Sequence, residues 1–493
     1  MKGRKEMVKR DWQELFFTVT ALAIIIVSRI MPGMWGLSSQ AMGVLGAFVG
    51  SLLLWITVSI DWPSLITLLA LGLIPEFGIK KTIAGAFGNT TVAFLLFTFM
   101  LVYPLSKTNF VRRCTVAFIT NPIARKGPWA FICSLFAALT FMGLFVSPSV
   151  LFVAFMPFLE DIFNVLQVKK GGKTGNMMMM GTAFCISLSS GMTAIGHVWP
   201  MMAIGYYTAA TGRDINQFQF MALGIPTGII LVALLILAFK YIYRPEDIHN
   251  LKPENALHLR GTVPAADARE KIILSVVFFT VFLWVGPSFI RNIMPDFYKL
   301  INSLTNAMPP LLGCIILFLV KVDGKRILEF REVTQKGILW GSILMTGAAT
   351  WLGSCLTNPK IGIGDWLTAV LSPITATLSV TGMIFLFMAW AIIQTNFSSN
   401  IVTTTVVSAV ALSVMTTLPQ GSVSIASVVS LIGICAAICN MTPAGQSTIN
   451  TVAIGSGWTT TKSMFIWGGF FAVLAMFVFT FISYPLGALI MGY

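Results

Sequence analysis

The chain has 493 residues, 56% hydrophobic and only 10% charged, well under half of the roughly 25% charged fraction of a soluble globular protein. Its formal net charge is +14, yet the lysines and arginines sit in short segments between apolar runs, which points to membrane topology and away from nucleic acid. The seven cysteines are scattered singly except Cys435 and Cys439, whose spacing predicts one face of a helix. With no histidine or carboxylate beside them they imply packing, not a metal site or a disulfide framework.

A basic stretch (Lys2, Arg4, Lys5, Lys9, Arg10) precedes the first apolar run, 15–31. No small-residue cleavage site follows, so the run reads as a retained span, not a signal peptide. Further runs at 41–60, 65–74, 84–105, 177–207, 220–243, 272–290, 308–320, 338–357, 423–454 and 464–489 bring the expected spans to eleven. Two more stretches, 129–158 and 374–418, are interrupted by polar residues: Ser147, Pro148 and Ser149 in the first, Thr395 to Asn400 in the second. Each is either a pair of spans or a re-entrant hairpin.

Charge separates these alternatives. With two hairpins, 25 of the 32 basic residues fall on the cytoplasmic side with the N-terminus, and Arg29, Lys80, Lys81, Arg213, Arg291, Lys299 and Lys360 fall outside. That is the positive-inside pattern of an inner-membrane protein, with the C-terminus outside. The polar segment 244–271, of mixed charge with Pro245, Pro253 and Pro264, reads as a cytoplasmic linker. It follows a tail and first span (1–39) and a first repeat (40–243, hairpin near 129–165). A second repeat (272–493, hairpin near 374–418) comes after it. Ser147 and Ser399 are 252 residues apart, and Ala203-Ile204-Gly205 recurs after 250 as Ala453-Ile454-Gly455. Three complete spans lie between the hairpins, so these open from opposite faces. The expected fold is therefore an all-α integral membrane protein with inverted repeats, built for alternating access around a site near mid-membrane.

Broken helices in hydrocarbon are tolerated only where they are buried in protein or line a cavity. Ser147 is suited to cap the returning arm of the first hairpin, with Pro148 at the first helical position. Ser399 and Asn400 take the same place in the second. Two such helix starts can hold a dianion without arginine, so Ser147, Ser149, Ser399 and Asn400 are the expected anion contacts. The polar breaks at 191–200 and 440–450 free backbone carbonyls. Together with Gly196, Thr395, Ser398 and Gln446 these suit sodium. All eighteen acidic residues lie at span ends or in loops, so neither a carboxylate relay nor the constellation of a membrane enzyme is present. For His197, the one histidine deep in a break, two readings are open: a satisfied core residue, or a titratable group that replaces a cation or couples proton movement. Met177, Met178, Met179 and Met180 read as packing.

The chain resembles the divalent anion/sodium symporter family, the sodium-dicarboxylate cotransporters of the ion transporter superfamily. Ala86-Phe87-Gly88-Asn89-Thr90-Thr91-Val92 looks like the family's Gly-Phe-x-Asn-x-Thr-Val span opening, and Trp340-Gly341 like the start of the matching span. By position, the family's two Ser-Asn-Thr tips correspond to Ser147, Pro148, Ser149 and to Ser399, Asn400, Ile401. Its Gly-Thr-Pro-Pro-Asn break looks like Gly196, His197, Val198, Trp199, Pro200, and the partner break like Gln446, Ser447, Thr448, Ile449, Asn450. The resemblance implies a homodimeric, elevator-type carrier of a small di- or tricarboxylate. The tips with Ser447 and Thr448 would hold the anion, and sodium beside each tip (Ser147 and Gly196; Thr395, Ser398, Asn400 and Gln446) would be the coupling ion, with no other cofactor. The chain departs at Pro148, which removes a side-chain ligand where His197 arrives. A sodium-independent exchanger or a proton-coupled carrier is therefore the alternative.

Overall fold

The structure, a computed structural model, describes residues 2–195, 197–290, 293–366, 369–370, 378–416 and 418–493, apart from the side chains of residues 2–11, 302 and 447. It is helical almost throughout, with one small ladder among the described residues pairing Lys321 with Arg326 and Val322 with Lys325.

In chain order the first helices are α1 (Lys2–Ile30), α2 (Ser39–Thr57), α3 (Pro63–Gly72), α4 (Gly78–Phe87), α5 (Thr90–Val102) and α6 (Phe110–Ile119). There follow α7 (Pro128–Gly143), α8 (Pro148–Val165), α9 (Lys173–Met192), α10 (Val198–Thr211) and α11 (Gln217–Ala238). The linker leads to α12 (Ala268–Ile290), α13 (Pro295–Ser303), α14 (Met308–Leu319), α15 (Phe330–Lys336) and α16 (Trp340–Leu356). Past the segment after α16 we number α17 (Val380–Phe397), α18 (Asn400–Met415), α19 (Ile425–Cys435), α20 (Ser447–Gly455), α21 (Thr461–Val478) and α22 (Tyr484–Met491).

Among the described residues eight helices are long and apolar enough to cross a membrane, or nine if α15 and α16, bent by 68°, form one span. The eleven spans expected from composition differ because several apolar runs are folded in pieces. Run 84–105 is divided at Gly88 and Asn89, where Asn89 Oδ1 accepts from Thr91 N at 2.7 Å and so caps α5. Runs 177–207 and 423–454 are divided into α9 and α10, and α19 and α20. Polar residues at these points offer the backbone alternatives to the helical ladder. Cys435 ends α19, so Cys439 lies beyond that helix and the two cysteines do not share a helical face as their spacing suggested. The four methionines 177–180 are fully buried in α9, as packing requires.

The helices pack in two groups. One holds α1 to α5 with α12, α14 and α16; the other holds α7 to α11 with α17 to α22. Each group therefore draws on both sides of the linker. They meet chiefly where α10 lies on α5 and α16, and also where α11 meets α12 and α18 meets α2 and α16. On α10 a Cβ at Gly205 would come 2.8 Å from Thr91 Oγ1 and 3.1 Å from Thr350 Cγ2, so a larger residue would have to displace those threonine side chains.

The linker is not a loose tether. Two short 3₁₀ segments, Glu246–Asn250 and Pro253–Thr262, fold against the helix ends. Asp247 Oδ1 accepts from the backbone N and the hydroxyl of Thr174, at 2.8 and 2.7 Å. This anchors the head of α9, where an anionic group offsets the helix dipole. Asn255 Nδ2 donates to Val165 O, and Arg260 Nε to Thr120 Oγ1 at 2.9 Å. Arg113 of α6 pairs with the buried Glu270 at the start of α12 and also donates to Pro264 O.

Candidate functional site

The two polar interruptions are helix-to-helix tips. At the first, α7 ends at Gly143 and Ser147 takes an extended N-cap conformation (φ −53°, ψ 134°), its carbonyl accepting from Leu151 N at 2.8 Å. At the second, Ser399 does the same for α18 (φ −64°, ψ 130°), accepting from Thr403 N at 2.9 Å. The expected side-chain caps are not made: neither Ser147 nor Ser399 gives its helix a side-chain cap bond. The backbone adopts the cap geometry while the hydroxyls do not close on it. The first turns of α8 and α18 thus keep the unpaired N–H groups and partial positive charge of open helix starts. Pro148 occupies the first position of α8, where its missing N–H leaves nothing unsatisfied.

Each returning arm packs against the post-break helix of the other half: α8 on α20, and α18 on α10. Four helix starts, at Pro148, Val198, Asn400 and Ser447, thereby belong to two crossed pairs. Ser149 is half-buried beside the first tip, Asn400 is buried at the second, and Thr448 is exposed at the start of α20. Gly196 and the side chain of Ser447 lie outside the described residues.

Around the first break, Thr193 Oγ1 donates to Leu144 O at 2.7 Å, tying the end of α9 to the tip. His197 stands at the N-cap of α10, extended at φ −153°, its ring stacked on Trp199 with centroids 3.8 Å apart. Its Nδ1 is buried and has no protein partner. A polar ring atom left so in an apolar interior is costly unless something else bonds it.

The second break is denser. Thr395 Oγ1 lies 3.0 Å from Asn400 Oδ1 and 3.2 Å from Ala436 O. Asn396 Nδ2 donates to Ile392 O at 2.8 Å and to Ile438 O at 2.6 Å, while its Oδ1 accepts from Met441 N. Asn450 Nδ2 donates to Cys439 O and Thr442 O at 3.0 and 2.6 Å, and Asn440 Nδ2 donates to Asn450 Oδ1 and to Ser187 Oγ of α9. Ser398 Oγ and Gln446 Nε2 are buried without a protein partner. Of the residues expected to hold a cation, Thr395, Ser398 and Asn400 thus gather at one tip, with Gln446 at the N-cap position of α20, its side chain making no cap bond. The pattern reading gave no site role to Asn396, Asn440, Asn450, Ser187 or Thr193. The available signal was three asparagines inside apolar runs, since an amide placed in hydrocarbon must find partners.

Among the described residues no group of three or more His, Cys, Asp or Glu side chains is placed to hold a metal ion. The chemistry on offer is oxygen and amide chemistry around open helix ends, suited to recognising a small ion and not to bond cleavage.

Comparisons with known proteins agree with that chemistry. A family model described as citrate transporter matches residues 51–433. The sodium-dependent dicarboxylate transporter SdcS of Staphylococcus saprophyticus is 22% identical over 469 residues, covering 91% of this chain and 87% of that one. The SdcS of Staphylococcus aureus strain MRSA252 is 19% identical over 475 residues with the same coverage. An uncharacterized transporter, MJ0672 of Methanocaldococcus jannaschii, is 23% identical over 269 residues, 54% of each chain. Among solved structures, the Alcanivorax borkumensis YdaH transporter covers 98% of both chains with a TM-score of 0.53 at 13% identity, a likeness of fold. These matches bear out a divalent anion/sodium symporter-type chain that is a transporter and not an enzyme. With its many apolar helices and a family match over most of its length, this multi-pass membrane protein belongs to the citrate transporter family.

Proposed function

We propose that the protein is a secondary carrier of small di- and tricarboxylates in the inner membrane, coupled to sodium, with its N-terminus in the cytoplasm. Membership in the citrate transporter family and the dicarboxylate and sodium named for SdcS support the substrate class and the coupling ion. The single observation that carries the reading is the pair of uncapped helix starts at Pro148 and Asn400. Open first turns present N–H groups and a partial positive charge to a carboxylate. Ser147, Ser149, Ser399 and Asn400 line these starts, and Ser447, Thr448 and His197 stand at the starts of the crossing helices. The two halves work as inverted repeats, with the group containing both tips moving against the other and α10 as the sliding contact, in a homodimer.

A second reading, sodium-independent exchange, is favoured by one observation: the buried Nδ1 of His197 has no protein partner and is free to engage the anion itself. Reconstituted protein decides between them. Uptake of labelled succinate or citrate into proteoliposomes should rise several-fold with an inward sodium gradient. Uptake driven equally well by internal unlabelled anion, with or without sodium, would replace symport by exchange; no counterflow of any di- or tricarboxylate would remove the carrier reading.

A further inference from the structure

Past the end of α19 at Cys435 the chain leaves the helical ladder, and the carbonyls of the break that follows have no helical partner. Where it is buried, each then needs a donor or a cation. Here side chains supply the donors. Ala436 O has Thr395 Oγ1 at 3.2 Å, Ile438 O takes Asn396 Nδ2 at 2.6 Å, and Cys439 O and Thr442 O take Asn450 Nδ2 at 3.0 and 2.6 Å. The Thr442 hydroxyl donates back to Asn396 O.

The orientation of both amides is fixed. Asn450 Oδ1 accepts from Asn440 at 2.9 Å, and Asn396 Oδ1 accepts from Met441 N at 2.8 Å. Each nitrogen must therefore face the carbonyls, since an amide oxygen cannot donate.

At the corresponding places the first half carries no amide side chain. At the offset of 252 that relates Ser147 to Ser399, Asn396 corresponds to Leu144; at the offset of 250 that relates Ala203 to Ala453, Asn450 corresponds to Pro200. Neither side chain can donate, and proline lacks even a backbone N–H. There Leu144 O takes the Thr193 hydroxyl.

We propose that Asn396 and Asn450 substitute for a coupling cation in the second half of the site, so that any sodium requirement arises in the first half, around Ser147 and the break between α9 and α10. The inference rests on the carrier reading above and deepens it. Amide N–H groups orient freed carbonyls as a cation does, but they are always present and bring no net charge. The second tip is then assembled whatever the sodium concentration, and ion dependence belongs to one half alone.

The test uses the full chain in proteoliposomes, with sodium titrated against choline in a counterflow assay using labelled succinate. Ser398→Ala should leave the sodium half-saturation within about twofold of wild type, whereas Ser147→Ala should raise it about tenfold. Asn450→Asp replaces a double donor by an acceptor and should add a sodium dependence, steepening the titration by about one unit of Hill coefficient. Asn396→Asp serves as a second variant with the same expectation, and melting curves of both variants should recover towards wild type on adding sodium chloride but not choline chloride. Loss of sodium dependence in Ser398→Ala, or a sodium response of folded Asn450→Asp identical to wild type, overturns the proposal. A wild type that exchanges without sodium removes symport but leaves this proposal standing if Asn450→Asp acquires the dependence. If no counterflow is seen at all the carrier reading falls, and sodium rescue of the melting curves still judges the role of the asparagines.

Discussion

Asn440 donates its amide to the Ser187 hydroxyl at 2.9 Å, joining residues 253 apart in sequence. The same nitrogen reaches Asn450 Oδ1, so one side chain links α9, before the first break, to the amide that holds the second. Gly191 allows the approach: a side chain there would come 2.9 Å from Ala437 Cβ and 3.2 Å from Ile434 O.

Removing that link should be felt in stability. Asn440→Ala leaves Asn450 Oδ1 and the Ser187 hydroxyl short of a partner in a dry interior, at a cost of about 1–3 kcal/mol. Thermal melts of purified protein should show a clear drop, and a variant melting with wild type would deny Asn440 its structural part.

Gly445 is a second pressure point. A Cβ there would stand 2.4 Å from Cys439 O and 2.9 Å from Thr395 O, both backbone atoms. Gly445→Ala must push the second break away from the end of α17, and it should lose most transport. A fully active alanine variant would show that the break tolerates a looser fit.

Gly205 examines the contact between the two helix groups. Gly205→Val drives methyl groups into Thr91 and Thr350 while leaving the tips untouched. Stabilisation by citrate or succinate in melting assays should persist, and exchange should fall at least about tenfold, a barrier increase near 1.4 kcal/mol. Equal loss of binding and exchange would place the damage at the site itself and not at the sliding surface.

The Arg113 and Glu270 pair ties α6 to the head of α12. Glu270 is only 5% exposed in its side chain, so Glu270→Ala strands a guanidinium that also serves Pro264 O. The expected loss is about 2–4 kcal/mol, less than for a fully buried pair because the arginine is partly in water. The double variant Arg113→Met, Glu270→Leu should recover much of it, as read by melting temperature; a double variant no better than the single one would assign the loss to packing.

His197 separates its two readings by substrate affinity. If the ring contacts the anion, His197→Ala should raise the half-saturation for succinate about tenfold, the loss expected for one charge-assisted hydrogen bond, with little change in melting temperature. Unchanged affinity with a lowered melting temperature would make it a core residue stacked on Trp199.

Much of this protein is legible in order along the chain. Apolar runs and the near absence of charge demand a lipid-embedded helical fold, because a backbone in hydrocarbon must satisfy itself. The interruptions at Ser147 and Ser399, and those between α9 and α10 and between α19 and α20, announce themselves as polar residues where such residues are costly. Pattern could not say that the cap hydroxyls stay open, that Cys439 leaves the helix, or that the linker is pinned by Asp247 and Arg260. Nor could it pair Asn440 with Ser187 or turn Asn396 and Asn450 onto the carbonyls of the second break. Local sequence determines where a helix must stop, since that depends on the residues at the stop. Which donors reach the freed carbonyls depends on how a break folds against the neighbouring helix ends, between 8 and 49 residues away in sequence, and only the packed structure decides that.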